Sequence, residues 1–326
     1  MTTAPPDATA GPSIAAVVIG RNEGARLVAC LAAVPAGVAQ VVYVDSGSSD
    51  GSPEAAAQSG ARVIVLEANR PFTAARGRNA GFAALQGVEF VQFMDGDCTL
   101  AEGWIETAAH FLEHNPRVAI VCGRRRERFP EASVYNRLVD REWNRPPGPT
   151  AACGGDALVR AEAFSAAGGF DASLIAGEEP ELCARLRAAG WEIHRLDAEM
   201  AAHDIEMTRF GQWWRRTRRG GFAAAQGAVV HGSAHQRSQR RKALVWGVGL
   251  PIVALGGLAV TPWALALLLL LPVQVVRLAA RYGLGRRESW EWAIFTTLGK
   301  TPEALGVLEY HVRRLTGRAA RLIEYR

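Results

Sequence analysis

The sequence has few cysteines, and their spacing fits neither a metal site nor a disulfide framework. The five are scattered, without a CxxC pair or a Cys/His cluster, at Cys30, Cys98, Cys122, Cys153 and Cys183. An odd number of widely separated cysteines is typical of reduced thiols in the cytosol. The N-terminus also lacks the basic and apolar regions of a signal peptide, so we expect residues 1–12 to be a disordered tail.

Acidic residues are missing from a long stretch of the C-terminal third. From Arg209 to Lys242 there are nine Arg or Lys and no Asp or Glu, and from Arg277 to Arg326 there are ten basic and five acidic residues. The net charge of the 326 residues is +5, so the basic surplus lies in this third. Such a surplus is typical of proteins that bind nucleic acid or an anionic membrane surface.

Charge is absent altogether from the 34 residues between Ala243 and Val276. One membrane crossing needs roughly 20 apolar residues, so this run is too long for a single straight span. Basic residues flank both ends, which by the positive-inside rule places both flanks in the cytoplasm. We therefore predict a membrane hairpin over residues 236–287 that turns near Thr261 and Pro262. The alternative is a buried helical pair in a soluble protein. The apolar run also argues against nucleic acid as a partner.

The N-terminal half contains strand patterns that alternate with helical patterns. The strands are expected at "SIAAVVIG", "QVVYVD", "ARVIVLE" and "EFVQFMD". This alternation predicts an α/β fold with a mostly parallel sheet. Further on, "RVAIVCGRRRERF" predicts a strand followed by a mobile arginine-rich segment. Ligands of such sheets bind beyond the carboxyl ends of the strands, where the sequence places Asn22, Glu23, Asp45, Asp50 and Asp95.

Two carboxylates, Asp95 and Asp97, directly follow the fourth predicted strand in "FMDGDC". Each loses solvation near a strand end and the two repel each other. A cation would remove both costs, and Mg²⁺ or Mn²⁺ prefers such oxygen ligands. The alternative is a polar turn, because Asp-Gly-Asp is favourable turn chemistry.

Six segments resemble family 2 glycosyltransferases and occur in the order seen in that family. They are "VVYVDSGSSDGS", "RGRNAG", "FMDGDC", "GGFD", "GEEPELCARLRAAGW" and "QWWRR". The resemblance covers residues 14–231. It implies a GT-A fold, which is Rossmann-like with helices on both faces of a mostly parallel sheet, over residues 13–235. It also implies transfer of a sugar from a nucleotide-sugar donor, usually with inversion.

The resemblance implies roles for individual residues at the donor site. Asp97 corresponds to the usual direct metal ligand, Asp95 to a group that supports the metal's water shell or the ribose, and His203 to a further metal ligand of some members. The donor contacts it implies are Asn22, Glu23, Asp45, Asp50, Arg78, Asn79, Asp95, Gln212 and Arg215. The donor would be UDP- or GDP-linked, with the base undetermined. Asp50 could equally cap the following helix, and Arg21 could stack on the base.

The expected general base departs from the family pattern. Members usually have Glu-Asp, with the Asp deprotonating the acceptor, whereas this chain has Glu178-Glu179. Glu179 occupies the Asp position, so base catalysis stays possible through a longer side chain. The alternative is that both acids only charge the first turn of a helix.

"QWWRR" partly matches the Gln-x-x-Arg-Trp signature of processive synthases. Gln212 and Arg215 match, but Arg216 replaces the final Trp, which argues against a synthase that threads a growing chain. The alternative is an interfacial helix, with two tryptophans at headgroup level and arginines meeting anionic lipid. The residues concerned are Trp213, Trp214, Arg215, Arg216, Arg218 and Arg219.

The last segment, residues 288–326, is predicted to form amphipathic basic helices suited to a membrane surface or to the catalytic domain. Its apolar positions are Leu305, Leu308, Val312, Leu315 and Leu322, and the arginines between them are Arg313, Arg314, Arg318 and Arg321.

These patterns predict a cytoplasmic catalytic domain at the inner membrane that makes cell-envelope polysaccharide. Its acceptor would be a lipid-linked or membrane-presented saccharide. Two alternatives stay open, a nucleotidyltransferase and a membrane-anchored GT-A-like scaffold without catalysis. The Glu at position 179 is the best support for the scaffold.

Overall fold

The computed structural model describes residues 11–230, 232 and 234–317. Residues 1–10 of the tail predicted over residues 1–12, and the predicted helix positions Arg318, Arg321 and Leu322, lie outside these residues. The chain forms two compact units. We call the first the α/β unit (residues 1–126, 144–171 and 182–204) and the second the helical unit (residues 127–143, 172–181 and 205–326). The boundary predicted at residue 235 falls inside the helical unit.

The α/β unit is built on a nine-stranded sheet with the order β3-β2-β1-β4-β8-β6-β9-β5, and β7 pairs with β9. The first four strands in this order pair in parallel, and the β4–β8, β6–β8, β5–β9 and β7–β9 pairs are antiparallel. The predicted parallel arrangement therefore holds for the first half of the sheet. The strands are β1 Ile14–Gly20, β2 Gln40–Asp45, β3 Arg62–Val65, β4 Phe90–Asp95, β5 Cys98–Leu100, β6 Val118–Glu127, β7 Gly148–Pro149, β8 Ala157–Arg160 and β9 Glu192–His203.

The helices that accompany these strands follow local sequence signals. Pro53 lies in the first turn of α2, and the Thr73 side chain caps α3 by accepting a hydrogen bond from the Arg76 N–H at 3.1 Å. Gly190, with a φ of 92°, follows the end of α7. The helices are α1 Ala25–Ala32, α2 Ser52–Gln58, α3 Ala74–Ala83, α4 Trp104–His114, α5 Val134–Trp143, α6 Ala161–Ala166 and α7 Glu178–Ala188. Of these, α5 and the first four residues of α7 belong to the helical unit.

One local prediction is wrong. The arginine-rich segment predicted to be mobile is part of strand β6, which runs to Glu127. Cys98–Leu100 also forms a strand, β5, which pairs with the end of β9, and helix α4 begins only at Trp104. Both features depend on pairing with a distant strand, which local sequence pattern does not report.

The helical unit continues with α8 Phe210–Val230, α9 Ala234–Leu244, a π-helical turn Val245–Gly249, α10 Leu250–Gly256, 3₁₀ segments Gly257–Ala259 and Pro262–Leu269, α11 Leu270–Tyr282, α12 Arg287–Leu298 and α13 Lys300–Leu315. Helices α8 and α13 cross closely. A Cβ atom on Gly221 would overlap the Glu303 backbone, and one on Gly306 would overlap the Arg218 carbonyl. Small residues at the crossing therefore let the two backbones touch.

The apolar run forms two helices long and apolar enough to cross a membrane. They span Gln236–Ala259 and Pro262–Tyr282, with mean hydropathies of 1.6 and 2.0. Little of either is buried, and large apolar side chains such as Val260 and Trp263 are more than four-fifths exposed. The break between them lies at Val260 and Thr261, where the turn was predicted.

Helix α13 carries apolar side chains on two faces, and the predicted apolar stripe lies on the exposed face. The inner face, which packs in the helical unit, consists of the buried residues Pro302, Ala304, Gly306 and Val307. The outer face exposes the predicted stripe of Leu305, Leu308, Val312 and Leu315. Arg313 pairs with Glu309 at 2.9 Å.

Candidate active site

The residues that best fit a metal ion lie where β5 pairs with β9. In this register Cys98 faces His203, and the Asp97 Oδ2 lies 3.2 Å from the His203 Nε2. Both side chains are buried. The Asp204 N–H donates to the Asp97 carbonyl at 3.2 Å, which ties the aspartate to the end of β9 from the backbone as well. The structure thus brings together two of the three predicted metal ligands.

The donor set at this point suits a hard or borderline divalent cation. Ligand atoms of Asp97, Cys98 and His203 lie within 4.8 Å of one another. Burial raises the pKa of the Cys98 thiol well above its ordinary value, and the thiol donates a hydrogen bond to the Asp156 Oδ2 at 3.1 Å, so this sulfur already has a partner. A carboxylate oxygen and an imidazole nitrogen remain, a pair that fits Mn²⁺.

The third predicted metal ligand, Asp95, is engaged elsewhere. Its Oδ1 accepts a hydrogen bond from the Arg78 guanidinium at 2.7 Å. Burial works to raise the pKa of Asp95, but the positive charges of Arg78 and Arg125 outweigh it, and the pKa lies below its ordinary value. Asp95 is therefore a carboxylate paired with an arginine, beside the Asp97–His203 pair.

Sequence reasoning missed a buried carboxylate next to this turn. Asp156, 1% exposed, directly precedes β8 and accepts hydrogen bonds from the Asp95 N–H at 2.9 Å, the Cys98 thiol at 3.1 Å and the Arg125 guanidinium at 3.0 Å. The sequence shows only that Arg125 follows one apolar run, in "CGRRR", and that Asp156 precedes another, in "GGDALV". It does not show that these two side chains form an ion pair.

The predicted donor residue Asp45 ends β2 and is fully engaged with its own turn. Its Oδ2 accepts from the Gly47 and Ser48 N–H groups at 2.8 Å each, and its Oδ1 accepts from the Tyr43 hydroxyl at 2.9 Å. Burial and this carboxylate raise the pKa of Tyr43. Asp45 therefore shapes the loop after β2, and a ligand there would meet the loop that Asp45 orders.

The end of β1 carries local backbone strain. Asn22 has a φ of 55°, in the left-handed region that few residues other than glycine adopt. The Ser48 hydroxyl accepts from its N–H at 2.9 Å, and its Oδ1 accepts from the Ser49 N–H at 2.8 Å. Strained residues held by such bonds cluster at functional sites. The loops after β1 and β2 are thus joined where ligands of parallel sheets bind.

Three further candidates near these loops also have structural partners. Glu23 pairs with Arg26 at 3.1 Å, and Asp50 accepts from both the N–H and the hydroxyl of Ser52, at the start of α2. The alternative interpretation of Asp50 as a residue that orders this helix start is therefore supported. Arg21, considered for stacking on a base, lies over the Phe72 ring at 5.8 Å.

Arg78 and Asn79, two of the implied donor contacts, lie in the second turn of α3, which begins at Ala74. The Asn79 amide donates to the Phe170 carbonyl at 2.7 Å and accepts from the Phe170 N–H at 2.9 Å. Both of its polar atoms therefore bond the "GGFD" segment. Contact of Asn79 with a donor stays a prediction.

The two predicted base candidates line a cavity of about 580 Å³ inside the helical unit. Glu178 is 4% exposed, whereas Glu179, next along the start of α7, is partly exposed. The cavity wall also contains the ion pairs Glu142–Arg216 at 2.9 Å and Lys300–Glu303 at 2.6 Å. Other lining residues include Trp213, Arg219, Arg240, Trp292 and Phe295.

Gln212 caps its own helix. Its Oε1 accepts from the N–H groups of Thr208 and Arg209 at 3.0 and 2.9 Å, and its amide donates to the Glu206 carbonyl at 3.2 Å. The matching residue Arg215 is exposed on α8. The structure therefore gives Gln212 a structural use that the sequence signature did not suggest.

The prediction that this segment is an interfacial helix is wrong for Trp213 and two of the arginines. Trp213 is buried and packs against Tyr135 and Phe295, with ring centroids 6.4 and 5.0 Å away. The arginines pair inside the helical unit, as Arg216–Glu142 and Arg218–Glu309. Their acidic partners come from segments remote in sequence, so the local absence of acids was misleading.

Comparison with known proteins identifies the family of the chain. Residues 16–174 match the family model "Glycosyl transferase family 2". A pre-mycofactocin glycosyltransferase of Mycobacterium tuberculosis is 31% identical over 250 residues, which cover 71% of this chain and 51% of that protein. The chain thus spans about half the length of the curated relatives it matches.

Solved structures show the same fold. A mannosyltransferase of Pyrobaculum calidifontis, PcManGT, in complex with GDP-Man and Mn²⁺, has a TM-score of 0.63 at 19% identity and covers 94% of this chain and 88% of its own. Residues 1–349 of S. aureus TarS have a TM-score of 0.51 at 12% identity, with 94% and 92% covered. At these identities the likeness concerns the fold, which is GT-A. The chain belongs to family 2 of the glycosyltransferases.

Proposed function

We propose that this chain transfers a sugar from a nucleotide-sugar to an acceptor hydroxyl, with inversion, at the cytoplasmic face of a membrane. The observation that carries the proposal is the buried Asp97–His203 pair at the carboxyl end of the parallel strands. In open α/β sheets this edge is where ligands bind. A nucleotidyltransferase, the rival enzyme class, has no support from the family to which the chain belongs.

The donor would lie over the loops after β1, β2 and β4. The backbone of the Asp45–Ser48 turn and the strained Asn22 hold these loops in one arrangement, so the donor meets a preformed surface. A divalent cation held by Asp97 and His203 would neutralise charge on the departing diphosphate as a Lewis acid. PcManGT was solved with GDP-Man and Mn²⁺, which makes these the first donor and metal to test.

The acceptor would occupy the cavity of the helical unit, with Glu179 as the general base. Direct displacement at the anomeric carbon inverts its configuration, and it requires a base that removes the hydroxyl proton as the bond forms. Glu179 is the more accessible of the two acids in the cavity wall, and Glu178 is buried. The tryptophan and phenylalanine rings in the same wall suit the apolar faces of a sugar.

The membrane proposal rests on exposed apolar surface. The helices Gln236–Ala259 and Pro262–Tyr282 expose most of their side chains, and α13 presents a stripe of four leucine or valine side chains outward. Contiguous apolar surface of this extent marks an interaction site for membrane or protein. With basic residues on both flanks, the hairpin would enter and leave on the cytoplasmic side, and the acceptor would be lipid-linked or membrane-presented.

The test of the activity is release of nucleoside diphosphate. Detergent-solubilised full chain is incubated with Mn²⁺ and a panel that starts with GDP-mannose and includes UDP-linked sugars. We expect release with one donor, dependent on Mn²⁺ and abolished in Asp97→Asn. Metal-dependent nucleotide binding without release from any donor, with or without added membrane lipid extract, would favour the non-catalytic scaffold.

The test of the membrane arrangement uses tags at three positions. Tags at the N-terminus and after Arg326 should both be reached only from the cytoplasmic side, and a tag at Thr261 only from the other side. A Thr261 tag that is inaccessible from outside, in a chain that still floats with membranes, indicates a re-entrant hairpin. A chain that stays soluble without detergent contradicts the membrane proposal.

A further inference from the structure

The turn that carries Asp97 is held on both sides by one buried carboxylate. Asp156 accepts a hydrogen bond from the residue before Gly96-Asp97, through the Asp95 N–H, and from the residue after it, through the Cys98 thiol. The Gly96 N–H donates to the Ile19 carbonyl at 2.8 Å on strand β1. The turn is therefore tied to strand β1 and to the residue directly before strand β8 within the α/β unit.

Asp156 is itself positioned by a charge. Its Oδ2 also accepts from the Arg125 guanidinium at 3.0 Å, and the side chains of Asp156 and Arg125 are 1% and 16% exposed. An uncompensated carboxylate so deeply buried would be costly, so the arginine is what allows an acid at this position. The Asp156 Oδ1 accepts from the Asp95 N–H, and the Oδ2 accepts from both Arg125 and the Cys98 thiol. The carboxylate therefore serves these donors and is not assigned as a metal ligand.

The consequence concerns the direction of the Asp97 side chain. The Cα of Asp97 lies between the two residues that Asp156 holds, so the bonds to Asp156 fix the backbone that aims the Asp97 carboxylate at His203. Partners that orient a metal ligand typically change metal affinity by about 10–100-fold when removed. Loss of Asp156 would remove the bonds on both sides of Asp97, although the Arg78–Asp95 ion pair and the backbone bonds of the turn would remain.

We propose that Asp156, held by Arg125, is a positioning residue that presets Asp97 for a divalent cation. The inference rests on the proposed metal role of Asp97 and His203. It assigns functions to two residues that lie outside the "DGD" motif and outside the set predicted from the sequence.

The experiment measures Mn²⁺ affinity rather than turnover. Purified full chain in detergent is titrated with Mn²⁺, free Mn²⁺ is followed by electron paramagnetic resonance, and the thermal midpoint of each variant is recorded without metal. Asp156→Asn should raise the Mn²⁺ dissociation constant by about 10-fold or more. Asp97→Asn tests the metal site itself. If that variant binds Mn²⁺ as tightly as the parent, the proposed metal site fails, independently of Asp156.

Two further variants separate positioning from stability. The pair Asp156→Leu with Arg125→Met replaces both charges by apolar groups of similar size, which is often tolerated because no unpaired charge remains. It should have a thermal midpoint near that of the parent and still bind Mn²⁺ at least about 10-fold more weakly. Affinity equal to that of the parent would overturn the proposal.

The matched control is Gln92→Leu. Gln92 is fully buried on the same strand as Asp95. Its amide oxygen accepts a hydrogen bond from the Trp104 indole N–H at 2.9 Å, and Trp104 lies outside the turn. Its loss should lower the thermal midpoint without weakening Mn²⁺ binding. If Gln92→Leu weakens Mn²⁺ binding as much as Asp156→Asn at an equal loss of thermal stability, Asp156 is a structural residue only.

Discussion

The α/β unit and the helical unit place charge and backbone differently. Around the "DGD" turn of the α/β unit, charged side chains lie inside as ion pairs, Arg78 with Asp95 and Arg125 with Asp156. In the helical unit, backbones approach each other closely at Gly221 and Gly306, where α8 crosses α13. The first arrangement fixes the direction of a few polar atoms, and the second fixes the distance between whole helices. Substitutions around the "DGD" turn should therefore change metal binding and turnover, and substitutions at the glycines should change the free energy of unfolding.

The largest effect is expected from the charge of Asp97. Asp97→Asn keeps the shape but removes an anionic ligand from a site that would hold a divalent cation, whose contribution to such reactions is several kcal/mol. Turnover should fall by about 10³-fold or more, and calorimetry should show that Mn²⁺-dependent binding of nucleoside diphosphate is lost. The control is Asp197→Asn, at an exposed ion pair with Arg124, which should change neither. Unchanged binding in Asp97→Asn would make "DGD" a turn and nothing more.

The second effect concerns the acids of the cavity. Glu179→Gln should lower turnover by about 10²-fold, the size expected for a positioned base, with donor affinity nearly unchanged. Steady-state kinetics and donor binding are compared with those of Glu178→Gln. If only Glu178→Gln loses activity, the base is the neighbouring residue, and if neither does, the base lies elsewhere. Glu179→Asp is the sharper probe, because a cavity adapted to the longer acid should lose activity with the family's usual residue.

The third effect uses two adjacent glycines of α8. A Cβ atom on Gly221 would overlap the Glu303 backbone, whereas one on Gly220 meets nothing within 4 Å. Gly221→Ala should therefore lower the free energy of unfolding by about 1–3 kcal/mol. Gly220→Ala should raise it slightly, because alanine is the better helix former. Denaturant titration in detergent measures both, and an equal response of the two variants would contradict the close crossing of α8 and α13.

The smallest effect is expected from a pair at the rim of the helical unit. The Arg137 guanidinium donates to both oxygens of Glu291, at 3.0 and 2.9 Å, and this hydrogen bonding lowers the pKa of Glu291 although partial burial acts to raise it. Because the folded pKa lies below the unfolded one, the pair stabilises the fold above the ordinary glutamate pKa. Its contribution is lost as the pH falls through the lowered folded value.

Glu291→Gln should therefore cost up to about 1 kcal/mol at neutral pH and nothing in strong acid. Unfolding measured over a pH series shows whether the difference from the parent closes in this direction. Glu288→Gln, an exposed acid on the same helix, is the control and should follow the parent at every pH. If the difference in unfolding free energy between Glu291→Gln and the parent grows as the pH falls, the predicted direction of the pH dependence is wrong.

Much of the fold followed from the sequence, because its signals there are local. The strands β1 to β4 are short β-branched runs that end in polar residues, and the two apolar helices are a run without charge. The predicted fourth strand also placed Asp97 just beyond the carboxyl end of β4. The second half of the sheet could not be derived, because β5, β6 and β8 owe their pairing to residues far away in the chain.

The candidate site was less predictable than the fold, for a physical reason. A motif names residue types at a spacing, but each polar atom bonds whichever partner the tertiary structure brings near. Thus Asn79 and Gln212, which match family motifs, bond nearby backbone groups. Asp156, which matches none of the quoted motifs, accepts hydrogen bonds from the residues on both sides of Gly96-Asp97. The sequence implied His203 as a metal ligand only through the family resemblance, and the structure places its Nε2 3.2 Å from the Asp97 Oδ2.

The π-helical turn Val245–Gly249 limits how far the first apolar helix can slide along its own axis. At Gly247 this turn runs so close to the start of α13 that a Cβ atom would overlap the Lys300 carbonyl. Sliding the helix lengthwise by one turn, about 5.4 Å, would force a residue with a side chain into that contact. This contact therefore fixes the lengthwise position of the first apolar helix relative to Lys300, which lines the cavity. In the proposed membrane arrangement, a change in bilayer thickness would act on the cavity wall beside Glu179.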